Sequence, residues 1–201
     1  MKGAYAMPDK PLLIIVNGLP GAGKTTLARR LAADLRLPVF SRDGIYETLY
    51  DALDGAATGA PPLLGAASFA LLYQSAGAVL AAGQPVIVEG FFGRPDLRRN
   101  EFFDLQERHD FEPLEILCVA DGTVLMERFL ARNVSGERHE SHQDMEWLAQ
   151  NETRLLNGQF APLTLRGTVI QINTTTRDSF EYAVVLRLAR EALQRMRQPR
   201  P

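Results

Sequence analysis

The chain has 201 residues, of which 46% are hydrophobic and 23% charged, so it can bury one sizeable core and is not expected to be disordered. Its formal net charge of −2 provides no global attraction to nucleic acid or to an anionic membrane. Cys118 is the single cysteine, which excludes an internal disulfide, and no stretch has the pattern of a signal peptide or an uninterrupted membrane span. We therefore expect a cytoplasmic protein with no membrane partner.

Short apolar runs alternate with longer helical patterns along the chain, which predicts an α/β fold with a parallel sheet covered by helices on both faces. Residues 55–65 are rich in Gly, Ala and Pro and predict a loop or hinge, and Asp121 is placed to cap a helix. No repeat or linker is visible, so we expect a single domain over residues 1–201. The predicted strands are 12–17, 38–41, 85–89, 114–119 and 168–173, and the predicted helices are 24–35, 42–53, 66–82, 95–108, 122–132, 143–156 and 179–197.

The first predicted strand leads into Gly-Leu-Pro-Gly-Ala-Gly-Lys-Thr at residues 18–25, the pattern of a complete phosphate-binding loop between a strand and a helix. Its glycines let successive backbone N–H groups point at phosphates, and the following helix presents the positive end of its dipole. We expect Lys24 to reach the β- and γ-phosphates of ATP and Thr25 to hold Mg²⁺. A dinucleotide-binding turn is the nearest alternative, but Thr26 stands where that turn needs its third glycine. The predicted nucleotide-binding residues are Gly18, Leu19, Pro20, Gly21, Ala22, Gly23, Lys24, Thr25 and Thr26.

The second predicted strand ends at Ser41, Arg42 and Asp43, and ligands of open α/β sheets gather at the carboxyl ends of strands. Asp43 is therefore a candidate general base, which would accept the proton of a substrate hydroxyl as it attacks the γ-phosphate. The alternative is that Asp43 caps the helix that follows it. Arg42 either holds an anionic substrate or is solvated.

Glu89 ends the next buried apolar run, at the position of a second acidic group that orders Mg²⁺ through water or turns towards the substrate hydroxyl. A carboxylate at a buried strand end is costly without a partner, which favours such a role. Arg94 and Arg98 follow it and are candidate contacts to the acceptor, with a solvated loop as the alternative for both.

Three arginines in the second half of the chain predict a lid over the nucleotide. Arg128 and Arg132 are four residues apart and share a helix face, and Arg138 follows after a polar segment. We expect a helical lid around residues 128–142 that places these cations on the transferring phosphoryl group and keeps water out. The alternative is a charged helix face that pairs with acidic neighbours.

Two histidines and a turn complete the candidate residues. His139 and His142 lack a third placed ligand, so the pattern favours hydrogen bonds within the lid over a zinc site. Residues 173–177 follow the last strand, where adenine would lie in such a fold.

Taken together, these motifs resemble the small P-loop kinases around polynucleotide kinase, chloramphenicol phosphotransferase and zeta-toxin-like proteins, which are grouped with AAA-family ATP-binding proteins. The resemblance covers most of the chain. It implies a P-loop NTPase three-layer sandwich with five parallel strands in the order 2-3-1-4-5, ATP with Mg²⁺, and Asp43 near the acceptor hydroxyl. Tyr46 stands where polynucleotide kinases carry an arginine, which favours a smaller or less anionic acceptor than a nucleic-acid end. The motifs that carry the resemblance are residues 18–26, 41–43, the strand ending at Glu89, residues 118–121 and 127–129, Arg132, Arg138, His139 and His142.

The sequence thus predicts an ATP-dependent phosphotransferase acting on a hydroxyl of a small molecule. Lys24, Asp43, Arg128, Arg132 and Arg138 are its expected catalytic residues. Two alternatives stay open at this point, an ATP-binding switch that acts through a protein partner and a 5′-hydroxyl kinase of polynucleotides. The acceptor, the preference for ATP over GTP and the oligomeric state are not specified by these patterns.

Overall fold

Five parallel strands form one sheet in the order β2-β3-β1-β4-β5 in the computed structural model, which confirms the predicted fold and strand order. The structure describes residues 10–93, 100–136, 138–158, 161–163, 165–176 and 179–196. Each predicted strand is present, with ends that differ from the prediction by at most two residues. The strands are β1 (Leu12–Gly18), β2 (Val39–Ser41), β3 (Val86–Gly90), β4 (Glu112–Val119) and β5 (Thr168–Asn173).

The helices follow the predicted pattern with one clear difference. Residues 55–65 were expected to be a loop, but Gly55–Thr58 forms a short helix and the next long helix already begins at Leu64. Asp121 takes the cap position of its helix as expected, although its side chain makes no capping hydrogen bond. The helices are α1 (Lys24–Leu35), α2 (Arg42–Ala52), α3 (Gly55–Thr58), α4 (Leu64–Ala81), α5 (Asn100–His109), α6 (Gly122–Val134), α7 (Asp144–Asn157) and α8 (Tyr182–Met196).

Strand β1 lies at the centre of the sheet and is buried on both faces, which is why its sequence is a continuous apolar run. Leu12, Ile14 and Val16 pack into a core with residues of α1, α6 and α8. Leu13 and Ile15 face the opposite core, which α4 and α5 complete. The sheet is therefore the middle of three layers.

Helix α4 is long and apolar enough to cross a membrane by length and composition, and it is the one such helix in the described part of the chain. Its buried residues pack beneath the sheet with Val86 and Val88 of β3 and with Phe102 and Leu105 of α5. A helix that packs into a protein core can have the same length and apolar composition as one that crosses a membrane, and α4 packs in this way.

Helices α6 and α7 approach each other closely because position 122 has no side chain. A Cβ atom at Gly122 would lie 1.7 Å from the carbonyl oxygen of Leu156 in α7. At the end of α7, Gly158 adopts a φ of 66° and closes the helix in the left-handed region. These two glycines allow the start of α6 and the end of α7 to lie in close backbone contact.

Candidate active site

An open cleft of about 1100 Å³ lies at the carboxyl ends of β1, β2 and β3. Its position is where the chain order reverses, since β1 is flanked by β3 on one side and β4 on the other. Its volume is close to the upper end of the range that is usual for small-molecule sites, about 300–1000 Å³. Its walls are the loop before α1, the start of α2, the end of β3 and the segment between α6 and α7.

The loop between β1 and α1 has the backbone that phosphate binding requires. Gly21 and Gly23 have φ values of 83° and 76°, in the left-handed region that glycine adopts without steric cost. Gly18 has no room for a side chain, because a Cβ there would lie 2.5 Å from the Cys118 carbonyl oxygen. The Lys24 ammonium donates to the Leu19 carbonyl oxygen at 3.0 Å and so stays beside the loop. The predicted nucleotide-binding residues 18–26 thus lie together at the start of α1.

Asn17, which sequence analysis did not identify, fixes the base of this loop. Its side-chain oxygen accepts hydrogen bonds from the N–H groups of Gly18 at 2.9 Å and Phe92 at 3.0 Å. Its amide nitrogen donates to Glu115 at 2.9 Å, and the other Glu115 oxygen accepts from the Leu163 N–H at 2.8 Å. Burial raises the pKa of Glu115, and these two hydrogen bonds act in the opposite direction. Polar residues inside the apolar strands β1 and β4 were the signal that could have found this pair.

The start of α2 is capped by Ser41 and not by Asp43, so the capping alternative for Asp43 is wrong. The Ser41 hydroxyl accepts from the Gly44 N–H at 3.4 Å and donates to Glu89 at 2.8 Å. Glu89 is buried at the end of β3, directly opposite Ser41 in the sheet. The carboxylate therefore has the partner that its burial requires.

Asp43 lies in the first turn of α2 with its side chain 46% exposed to the cleft. Its carboxylate is 3.2 Å from Arg42 and 3.4 Å from Arg138. Desolvation alone would raise the pKa of Asp43, but the charges of Arg42, His142, Arg138 and Lys24 outweigh it and lower the pKa to about 2. The group is therefore ionised at neutral pH and available as a hydrogen-bond acceptor.

Arg42 turns back along α2 instead of extending into solvent, so the solvated alternative does not describe it. Its guanidinium carbon is 4.7 Å from the centre of the Tyr46 ring and 5.0 Å from that of Phe69 in α4. The side chain is 15% exposed and lines the cleft beside Asp43.

Arg128 contacts carbonyl groups at the edge of the cleft. Its guanidinium donates to the carbonyl oxygens of Thr174 and Thr175, both at 2.9 Å, and to that of Gly21 at 3.4 Å. The Thr174 hydroxyl in turn donates to the Ala22 carbonyl oxygen at 3.1 Å. In this structure Arg128 therefore joins the phosphate loop to the turn after β5, where we expect adenine, and its role at the transition state remains a prediction.

Arg132 and Arg138 lie on the other side of the cleft. Arg138 makes a two-pronged contact with the buried Asp144, at 2.8 and 3.1 Å, and a longer one with Asp43. These hydrogen bonds raise the pKa of Arg138 in spite of its desolvation. Arg132 Nε is buried with no hydrogen-bond partner among the described residues, and desolvation and the nearby Arg138 charge lower its pKa. Both arginines stay charged, and Arg132 is the better placed to accept an anion.

The segment before α7 is held against α2 by its two histidines. His142 is 2.8 Å from Glu47 and His139 is 3.2 Å from Asp51, so both contact carboxylates one turn apart on α2. Within the described residues, no cluster of three or more His, Cys, Asp or Glu side chains could hold a metal ion. The expected hydrogen-bonding role of the histidines fits this arrangement.

The cleft nevertheless suits a Mg²⁺ ion that is bound mainly by the phosphates of a nucleotide and only partly by the protein. Thr25, Ser41, Asp43 and Glu89 all line it and all offer oxygen atoms, the ligands that Mg²⁺ prefers. One or two carboxylates are enough where a nucleotide and water complete the octahedron. Arg94 and Arg98, the remaining candidates for acceptor contacts, lie outside the described residues.

Comparison with known proteins gives the same architecture. Residues 13–156 match the family described as the AAA domain. A candidate kinase from Chloroflexus aurantiacus J-10-fl is 36% identical with a TM-score of 0.81, over 90% of this chain and 98% of that one. Kti12 of Chaetomium thermophilum, whose structure contains ADP-AlF3, is 20% identical with a TM-score of 0.59, over 90% of this chain and 98% of that one. At that identity the second likeness shows the fold alone.

An uncharacterized protein of Mycobacterium tuberculosis is 33% identical over 129 residues, which are 60% of this chain and 25% of that protein. The chain thus spans about a quarter of the length of the curated relatives that it matches.

Proposed function

The chain belongs to the AAA domain family, and from this membership and the geometry of the cleft we propose that it transfers the γ-phosphoryl group of ATP to a hydroxyl of a small molecule. Its kinase-like P-loop fold and its resemblance to small P-loop kinases are confirmed, and this fold implies nucleotide binding. The observation that carries the proposal is the ionised Asp43 in the same cleft as the phosphate loop. The cytoplasmic setting expected from the single cysteine is part of the proposal.

In the proposed reaction the substrate hydroxyl oxygen forms a bond to the γ-phosphorus, and the bond from that phosphorus to the bridging oxygen breaks, leaving its electron pair on ADP. The hydroxyl proton passes to Asp43 and then to solvent. With a pKa of about 2, Asp43 is a weak base, so it orients the hydroxyl and accepts the proton late, as suits a loose transition state.

The remaining charges act on the phosphates. Lys24 and the loop amides hold the β- and γ-phosphates, while Arg132 and Arg138 face the transferring group from the opposite wall. Thr25 and Glu89 would hold Mg²⁺, whose contribution when bound is to neutralise charge on the phosphate oxygens.

The proposal is tested by ATP consumption with Mg²⁺ across pools of hydroxyl-bearing metabolites, antibiotics and 5′-hydroxyl oligonucleotides. Asp43→Asn should remove stimulation by the active pool, by about 10²- to 10⁴-fold in kcat, while ATP still binds. Asp104→Asn, an exposed carboxylate on α5, is the matched control and should behave as wild type. Tight ATP binding without stimulation by any pool would instead support a switch, and stimulation by oligonucleotides alone would support a polynucleotide kinase.

A further inference from the structure

Arg42 is a cation in the cleft whose N–H donors are only partly satisfied by its surroundings. The side chain is 15% exposed, and its guanidinium lies against the Tyr46 and Phe69 rings. Its Nε is buried with no hydrogen-bond partner among the described residues. Aromatic faces attract a cation, but they do not satisfy its N–H donors.

Among the described residues, the one carboxylate that pairs with Arg42 is shared. Asp43 is 3.2 Å from Arg42, a long contact for a charge-assisted hydrogen bond, and it also contacts Arg138. Arg138 in addition has Asp144 as a two-pronged partner, whereas the described residues give Arg42 no second carboxylate. A guanidinium carries five N–H donors, so Arg42 keeps donors for an anion from outside the protein.

The backbone approaches Arg42 closely at two glycines, which leave the side chain in place beside the cleft. Gly65 of α4 faces the guanidinium, and a Cβ there would lie 3.2 Å from its Nη2. Gly90, at the end of β3, faces the stem of the same side chain, and a Cβ there would lie 3.2 Å from the Arg42 Cβ. Both glycines line the cleft together with Tyr46 and Phe69. Any larger residue at position 65 would crowd the guanidinium.

We propose that the acceptor is a small molecule that carries an oxyanion, a carboxylate or phosphate, close to its reacting hydroxyl, and that Arg42 binds this oxyanion while Asp43 receives the hydroxyl. This inference rests on the proposed phosphotransferase function. Arg42 Nη1 and Asp43 Oδ1 are 3.2 Å apart, so hydrogen bonds of about 2.9 Å from these two atoms would place the two ligand groups within about 9 Å of each other. Tyr46, which replaces the arginine of polynucleotide kinases, by itself favoured a less anionic acceptor. The Arg42 guanidinium lies over the Tyr46 ring, however, so a positive charge is present near this position.

The test compares acidic alcohols with their neutral counterparts as phosphoryl acceptors. The pairs are glycerate with glyceramide, gluconate with gluconamide, and glucose 6-phosphate with glucose, each measured by ATP consumption and by formation of the phosphorylated product. We expect stimulation by at least one acidic member and at least tenfold less by its neutral partner. The carboxylate and phosphate pairs also distinguish the two kinds of oxyanion.

Arg42→Gln should raise KM for the active acidic acceptor by about 10- to 150-fold and change kcat less, as loss of a charge-assisted hydrogen bond predicts. Arg42→Lys, which retains charge but not the planar fork, should lie between wild type and Arg42→Gln. This variant serves if Arg42→Gln does not fold. Arg187→Gln removes a surface arginine on α8 and should match wild type.

The outcomes separate the two proposals. Stimulation by neutral alcohols alone overturns the acidic acceptor and leaves the phosphotransferase standing. Stimulation by an acidic alcohol with an unchanged KM in Arg42→Gln and Arg42→Lys overturns the role of Arg42. Absence of stimulation by every alcohol overturns the phosphotransferase and this inference with it.

Discussion

Replacing Gly122 with alanine should disturb the whole wall of the cleft that α6 and α7 form. The added Cβ would lie 1.7 Å from the Leu156 carbonyl oxygen and 2.3 Å from its carbonyl carbon. These are backbone atoms of α7 and cannot rotate away as a side chain would. To reach an ordinary contact of about 3.4 Å or more, α7 must move by well over 1 Å relative to α6.

The size of the effect follows from this enforced movement. Overpacking a well-ordered core costs about 1–3 kcal/mol, and a clash between two backbones belongs at the upper end or beyond it. For a chain of this length each kcal/mol lowers Tm by about 2–4 °C, so we expect Gly122→Ala to lower Tm by about 6–12 °C. ATP should also bind less tightly, because Arg128 and Arg132 lie on α6, one of the two helices that the added Cβ forces apart.

Thermal and urea unfolding, followed by circular dichroism, measure this change. Gly44→Ala is the matched control, because a Cβ at position 44 makes only an ordinary contact of 3.6 Å with Ser41. As a glycine-to-alanine change within a helix it should leave Tm unchanged or raise it slightly. A Gly122→Ala protein with the Tm of wild type would show that α6 and α7 do not approach as described.

Three further predictions concern nucleotide binding and pH. ATP at a concentration of 100 times its Kd should stabilise wild type by about 2.7 kcal/mol and so raise its Tm. Lys24→Ala should abolish this increase in Tm, and an increase that is retained would contradict the phosphate-binding role. Arg128→Lys cannot keep both the contact of Nη2 to the carbonyls of Thr174 and Thr175 and the contact of Nη1 to Gly21, so calorimetry should show about tenfold weaker ATP binding, whereas an unchanged Kd would separate this arginine from the nucleotide. Burial lowers the pKa of His142 below its usual 6.5, and Arg138 adds to this while Asp43 and Glu47 oppose it. As the pH decreases, His142 therefore takes up a proton in the unfolded chain before it does so in the folded protein. At pH values below about 6.5 the free energy of unfolding should decrease, and it should decrease less in His142→Gln. Urea midpoints that change in parallel in the two proteins between about pH 7 and 5.5 would refute this.

The elements that depend on local pattern could be predicted from the sequence. The apolar run of β1, its glycine-rich loop and the helix after it are specified by neighbouring residues, and the structure has α1 at the predicted residues. Residues 55–65 were misjudged because Gly55 and Ala57 were taken as loop residues, although they also fit one helical turn under Tyr50. Small residues adopt either state, and the surrounding contacts decide.

The partners of the charged residues could not be predicted, because they are far apart in the sequence. Asp43 was identified from its position after β2, but its pairing with Arg138 spans 95 residues. Arg128 was correctly placed on a helix, whereas its carbonyl partners come from the phosphate loop and from the turn after β5. The positive charge of an arginine indicates that it can contact a phosphate, but only the fold shows which carbonyl and carboxylate oxygens lie near it.

The contacts between α2 and the segment before α7 connect the position of this segment with the binding of ligands in the cleft. Arg138, His139 and His142 each contact an acidic residue of α2, and one of these is Asp43. An outward swing of the segment removes a partner from Asp43 at the same time as it widens the entrance to the cleft. A ligand that favours one position of this segment would change the affinity of the cleft for a second ligand, and the second ligand would change the affinity for the first by the same factor.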